Sequence, residues 1–159
     1  MDIIWEELTS GLPDARQLVH VLIRLIAATL LGAIVGGQRE KAGKPAGLRT
    51  HMLVSLGTAV FVLACSGVGM SSDGLSRVIQ GIVTGIGFIG AGSILKLNEE
   101  RDIQGLTTAA GVWMTAAIGV AVGLGSLGVA LLSTFFALVI LSLVGRLEHR
   151  AEKLEHTNS

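Results

Sequence analysis

The chain has 159 residues, half of them hydrophobic, 22 of them Gly and only 15% charged. A soluble domain carries about 25% charged residues, so this composition excludes an ordinary water-soluble fold. Twelve Lys and Arg balance twelve Asp and Glu, which removes the basic face that a nucleic-acid partner needs. The single Cys builds neither an internal disulfide nor a thiolate metal knuckle. The expectation is one all-α, polytopic membrane domain with no metal and no cofactor, its first partner the lipid bilayer.

Residues 1–17 open with Asp2, Glu6 and Glu7, the wrong sign for a secretory signal, and read as a short periplasmic or interfacial lead-in with Trp5 as an anchor. Crossing the hydrocarbon takes roughly 20 apolar residues. The stretch 18–37 meets that requirement, interrupted only by His20 and Arg24. Residues 50–72 and 77–95 follow, with Arg77 the only charge at the start of the later span apart from Asp73 ahead of it. The run 103–145 has no Asp, Glu, Lys or Arg and is too long for one crossing. Its GLGSLG string at 123–128 supplies a turn, giving spans at 103–122 and 126–145. The reading is a five-helix transmembrane bundle over 18–146, with a cytoplasmic tail at 147–159.

Orientation follows the Lys and Arg outside the spans. The connection 38–49, the connection 96–102 and the chain from Arg146 onward hold nine of the twelve basic residues. With five spans all three lie on one side, so the N-terminus is expected outside and the C-terminus in the cytoplasm.

Without a hydrophobic effect between helices in lipid, small residues that allow close backbone approach carry the packing. Gly32 and Gly36 form such a pair in the first span, and Gly81 and Gly85, continued by Gly92, form another in the third. A third stripe runs along the fourth span through Thr108, Gly111, Thr115 and Gly119. These stripes suit tight packing within one bundle; they also suit association of like chains, a dimer first. Gly85, Gly87 and Gly90 spell GxGxxG, but within an uncharged membrane run this is no dinucleotide loop, and no Lys follows Gly92 to make a Walker A loop. Close helix packing, or a locally broken helix lining a polar cavity, remain as readings.

Polar groups inside the membrane need an explanation. Arg24 either snorkels to the outer headgroups or turns inward to an acid such as Asp73. Asp73 and Arg77 stand four apart at a helix start, where an acid suits the dipole, and Gln80 extends the same face. The most distinctive polar string is QREKAGKPAGLRTH at 38–51. Arg39, Lys41, Lys44 and Arg49 in it suit the inner headgroups, and Arg49 and Thr50 could also reach Thr107 and Thr108 at the start of the fourth span. His20 and His51 fall on opposite sides as lone histidines, and Cys65 is mid-span, where a thiol stays protonated. No nucleophile has a base and an orienting group beside it, so no enzyme is expected.

Four strings carry a resemblance: RLIAATLLGAIVG (24–36), KPAGLRTHMLVSLGTA (44–59), RVIQGIVTGIGFIGAGSIL (77–95) and GLTTAAGVWMTAAIG (105–119). Together they resemble the MgtC/SapB family of bacterial inner-membrane proteins. The resemblance implies a multi-spanning inner-membrane protein linked to growth under magnesium limitation, stress homeostasis and virulence. For MgtC itself it implies inhibition of the membrane sector of ATP synthase, not magnesium transport. Two departures stand out. Where the family commonly has an acid before the Arg, this chain has Gln38, with Glu40 just beyond Arg39. The chain also ends soon after Arg146, like the short form without a C-terminal cytoplasmic domain. The expected function is a non-enzymatic regulator of another membrane complex. The alternative is a small transporter or channel with a polar path near Arg24, Asp73 and Arg77.

Overall fold

A computed structural model describes residues 3–4, 14–96 and 103–144. The lead-in before Asp14, the connection 97–102 and the tail 147–159 fall outside the described residues. Helix α1 spans Ala15–Lys41, α2 Leu48–Gly67, α3 Ser72–Ala91, α4 Leu106–Gly123 and α5 Leu127–Val139, the last continuing into a π-helical turn at Ile140–Val144. Between α3 and α4, strands β1 (Leu95–Lys96) and β2 (Ile103–Gln104) pair antiparallel, with Leu95 opposite Gln104. The described residues are thus helical apart from this small ribbon and the turns, and Ile103 and Gln104 belong to a strand rather than to the fourth span. Helix α3 starts at Ser72, just ahead of Asp73, so Asp73 and Arg77 both lie near its start.

Local chemistry sets these boundaries. Asp14 caps α1 by accepting from the Gln17 amide at 2.7 Å, and Ser71 caps α3 by accepting from the Gly74 amide at 3.2 Å. Asp73 then lies in the first turn of α3, where its charge meets the positive end of the dipole. Glu40 accepts from the Leu48 amide at 2.9 Å, so the end of α1 caps the start of α2. At the turn between α4 and α5, Gly125 adopts φ +83°, a left-handed conformation that a side chain would strain.

Helices α1 to α4 are each long and apolar enough to cross a membrane, and α5 is a shorter apolar helix. Large apolar side chains such as Leu30, Phe61, Phe88 and Leu132 are more than half exposed. That many outward-facing apolar side chains fits hydrocarbon rather than water. Helix α4 is the most enclosed: it packs on α1, α2, α3 and α5, and half of its apolar core window is buried. Helix α3 is the least enclosed, leaning on α4 and only lightly on α2.

Close packing is concentrated where small residues face α2. A Cβ added at Gly32 would come within 2.6 Å of the His51 carbonyl oxygen, and one at Gly36 within 2.8 Å of Leu48 Cα. On α4, a Cβ at Gly119 would fall on Thr58 Oγ1 and the Ser55 carbonyl. These glycines let three helix backbones approach in a way no larger residue allows.

Candidate functional site

At the end of the bundle where α1 finishes and α2 and α4 begin, several polar side chains are shut away from solvent. Arg39, in the last turn of α1, is 3% exposed, and His51, in the first turn of α2, is fully buried. Ser55 lies one turn further along α2, and Thr108 and Thr115 face them from α4; all three are buried. Arg39 Nη2 donates to Thr108 Oγ1 at 3.0 Å. The ring Nδ1 of His51 lies 3.0 Å from the Gly47 carbonyl oxygen, which can only accept, so Nδ1 carries the proton and Nε2 is left as an acceptor when the ring is neutral.

Elsewhere in the helices hydroxyls return to their own backbone: Thr29 to Leu25, Thr58 to Val54, Thr115 to Gly111 and Thr134 to Ala130, all at 2.8–2.9 Å. Thr108 accepts from Arg39 instead, and Ser55 Oγ is buried without a partner. Arg39 Nε and His51 Nε2 are likewise buried without a partner. Gln38, beside Arg39, donates through Nε2 to the Leu141 carbonyl at 3.2 Å, in the π-helical turn that ends the bundle. Among the described residues, no three His, Cys, Asp or Glu side chains cluster closely enough to hold a metal ion.

The residues singled out from sequence are dispersed. Arg24 donates to the Gly123 carbonyl at 3.0 Å, capping the C-terminal end of α4, and α1 and α3 share no packed interface, so Arg24 does not join Asp73. Asp73, Arg77 and Gln80 are all exposed along one side of α3. Arg49 and Thr107 are exposed and Thr50 is half-buried, and it is Arg39 that reaches Thr108. Glu40 is exposed, its carboxylate spent on the cap of α2.

The glycines of α3 behave differently from those of α1. The helix runs unbroken through Gly81, Gly85, Gly87 and Gly90 to Ala91, with Gly92 as its C-cap, so it bares no backbone to a cavity. Nothing lies within 4 Å of a Cβ added at Gly81, Gly85 or Gly87, whereas one at Gly90 meets Ala109 of α4 at 3.6 Å. Gly81 and Gly85, with Ile89, instead line an open apolar groove of about 590 Å³ shared with Leu53, Gly57 and Phe61 of α2.

An all-helical membrane protein with one closed polar cluster and one open glycine face is the class these observations define. The MgtC family model matches residues 25–150, and the chain belongs to that family. SrpB of Synechococcus elongatus is 43% identical over 139 residues, covering 80% of this chain and 76% of SrpB. YhiD of Escherichia coli K12, whose name gives it a provisional assignment as a magnesium transporter, is 40% identical over 81% of this chain and 62% of its own length. MgtC of Salmonella typhimurium is 45% identical over 74% of this chain and 49% of its own. The chain thus spans between half and three quarters of these relatives. No solved structure matches it.

Proposed function

We propose that the chain is a five-span protein of the bacterial inner membrane, N-terminus outside, that regulates another membrane complex in cells adapting to low magnesium and catalyses no reaction. The supporting observation is the outer side of α3. Gly81 and Gly85 are open there, and the exposed Gln80 and Thr84 run beside them. A lipid-facing amide and hydroxyl next to open glycines suit the close approach and interhelical hydrogen bonding of a neighbouring transmembrane helix. The magnesium link rests on the family and on the name of YhiD. The membrane sector of ATP synthase is the first candidate partner, by the family resemblance.

Five spans rest on the alternation of the helices. Arg39, Leu48, Thr108 and Leu141 meet at one end, while Arg24 meets Gly123 at the other. The seventeen residues of Leu127–Leu143 reach the lower limit for a crossing. Transport is the competing reading, favoured by the name of YhiD. The unbroken α3 and the separation of Arg24 from Asp73 leave it without a polar path among the described residues.

Photo-crosslinking residues placed at the exposed Gln80 and Thr84, beside the open glycines, with Leu132 of α5 as a lipid-facing control, test the regulator in intact cells. The expected result is an adduct with a subunit of the ATP synthase membrane sector from the α3 positions alone. The same adduct from position 132, or magnesium flux in proteoliposomes of the purified chain, contradicts it.

A further inference from the structure

Arg39 stands at an electrostatically adverse place. Its guanidinium touches Thr108, in the first turn of α4, where the helix dipole presents its positive end. That turn has no acidic residue, and its N-cap, Gly105, offers no side chain to the free amides. Helix α2 begins at the same end, and its first turn is also without an acid. Exposed Lys41, Lys44 and Arg49 add positive field around the same end. The neighbouring acid, Glu40, is turned to the Leu48 amide. Among the described residues no acid answers Arg39, and a buried cation so placed costs several kcal/mol, more so against a like-signed dipole.

The orphaned atoms state what would relieve it. Arg39 Nε is a donor, Ser55 Oγ can donate or accept, and His51 Nε2 accepts. His51 lies one turn along from Arg39 on both neighbours. On α1 the His51 side chain packs at Gly36, three residues before Arg39; on α4 its Nε2 faces Gly111, three residues after Thr108. Residues so spaced on one helix are about 5–6 Å apart at Cβ, so Arg39, His51 and Thr108 lie on neighbouring turns of the same three-helix seam. Thr107 is exposed and Thr108 buried, so the first turn of α4 forms the rim by which a ligand would enter.

We propose that Arg39, His51 and the first turn of α4 form a binding site for a protonated phosphate group. The anionic oxygens take the guanidinium Nε–H and the free amides of α4, and the P–OH donates to His51 Nε2. A group with both negative charge and a proton fits; a fully ionised anion leaves the His51 acceptor unserved. Inorganic phosphate and the phosphomonoester headgroup of phosphatidic acid share this chemistry.

The full chain, purified in a phosphate-free non-ionic detergent, is melted with inorganic phosphate, with phosphatidic acid and with sulfate. At a hundredfold excess over the dissociation constant, binding raises Tm by roughly 5 to 10 °C. A rise with phosphate assigns the site to the free anion, and a rise with phosphatidic acid alone assigns it to lipid. Arg39→Met is expected to lose the rise and to melt higher than the parent in anion-free buffer, the reverse of what a structural arginine would do. His51→Leu, an apolar side chain close to it in volume, is expected to respond to phosphate no better than to sulfate. No rise with either phosphate source, or a rise retained in Arg39→Met, overturns the proposal. So does an equal rise with sulfate in the unaltered chain.

Discussion

Two arginines mark the two ends of α4, and they are not equivalent. Arg24 meets the carbonyl end, where a cation suits both the free Gly123 oxygen and the dipole. Its depth is legible in the sequence, but its partner is not, because the acceptor is a backbone carbonyl freed by a helix end and no residue type announces it. Replacing Arg24 by Ala should cost about 1–2 kcal/mol, read as a lower Tm with the oligomeric state unchanged. Arg39 reads in sequence as one headgroup-level charge among four; its enclosure depends on three helices closing around it at Gly36, His51 and Thr108. His51 is overlooked for a related reason: a lone histidine carries no spacing signature, and its burial comes from glycines on two other helices. Gln38 uses the one capability a carboxylate lacks, donation, toward the Leu141 carbonyl. Gln38→Glu should therefore lower stability by about 1–3 kcal/mol at neutral pH, measurable by thermal melting in detergent.

At the scale of the helices, the same small-residue spacing has opposite outcomes on α1 and α3. Gly32 and Gly36 are closed over by the α2 backbone, whereas Gly81 and Gly85 face open space. Sequence shows which face is small but not what covers it, because coverage depends on where the neighbouring helices lean. Gly36→Leu forces α1 and α2 apart and should cost about 3 kcal/mol or more, leaving little folded protein after extraction. Gly81→Leu meets nothing and replaces a poor helix former by a good one, so the isolated chain should melt no lower than its parent. The β1–β2 ribbon escapes the hydropathy pattern because two-residue strands are too short to show a period. The α4–α5 turn is readable, since Gly125 needs a left-handed conformation that the glycine-rich string supplies.

For the molecule as a whole, hydropathy and charge are strong guides because the bilayer imposes a length and a sign on every segment. Four helices are long and apolar enough to cross, and the proposed topology counts α5 as a fifth span. It predicts that, in a Cys65→Ser background, single cysteines at Lys44 and Arg101 are labelled by a membrane-impermeant thiol reagent from the cytoplasmic side. A cysteine at Ser126 should be labelled from the opposite side only. What the whole-chain pattern does not carry is which helix face is left unpacked, since that depends on how α3 leans on α4 and α2.

Gly85→Leu, in cells that depend on this chain for growth at low magnesium, tests the proposed role of the open α3 face most directly. Accumulation and melting temperature should match the unaltered protein, while growth and crosslinking to the partner complex are lost together. A variant that accumulates normally, supports full growth and still crosslinks would show that the open face of α3 is lipid-covered surface and nothing more.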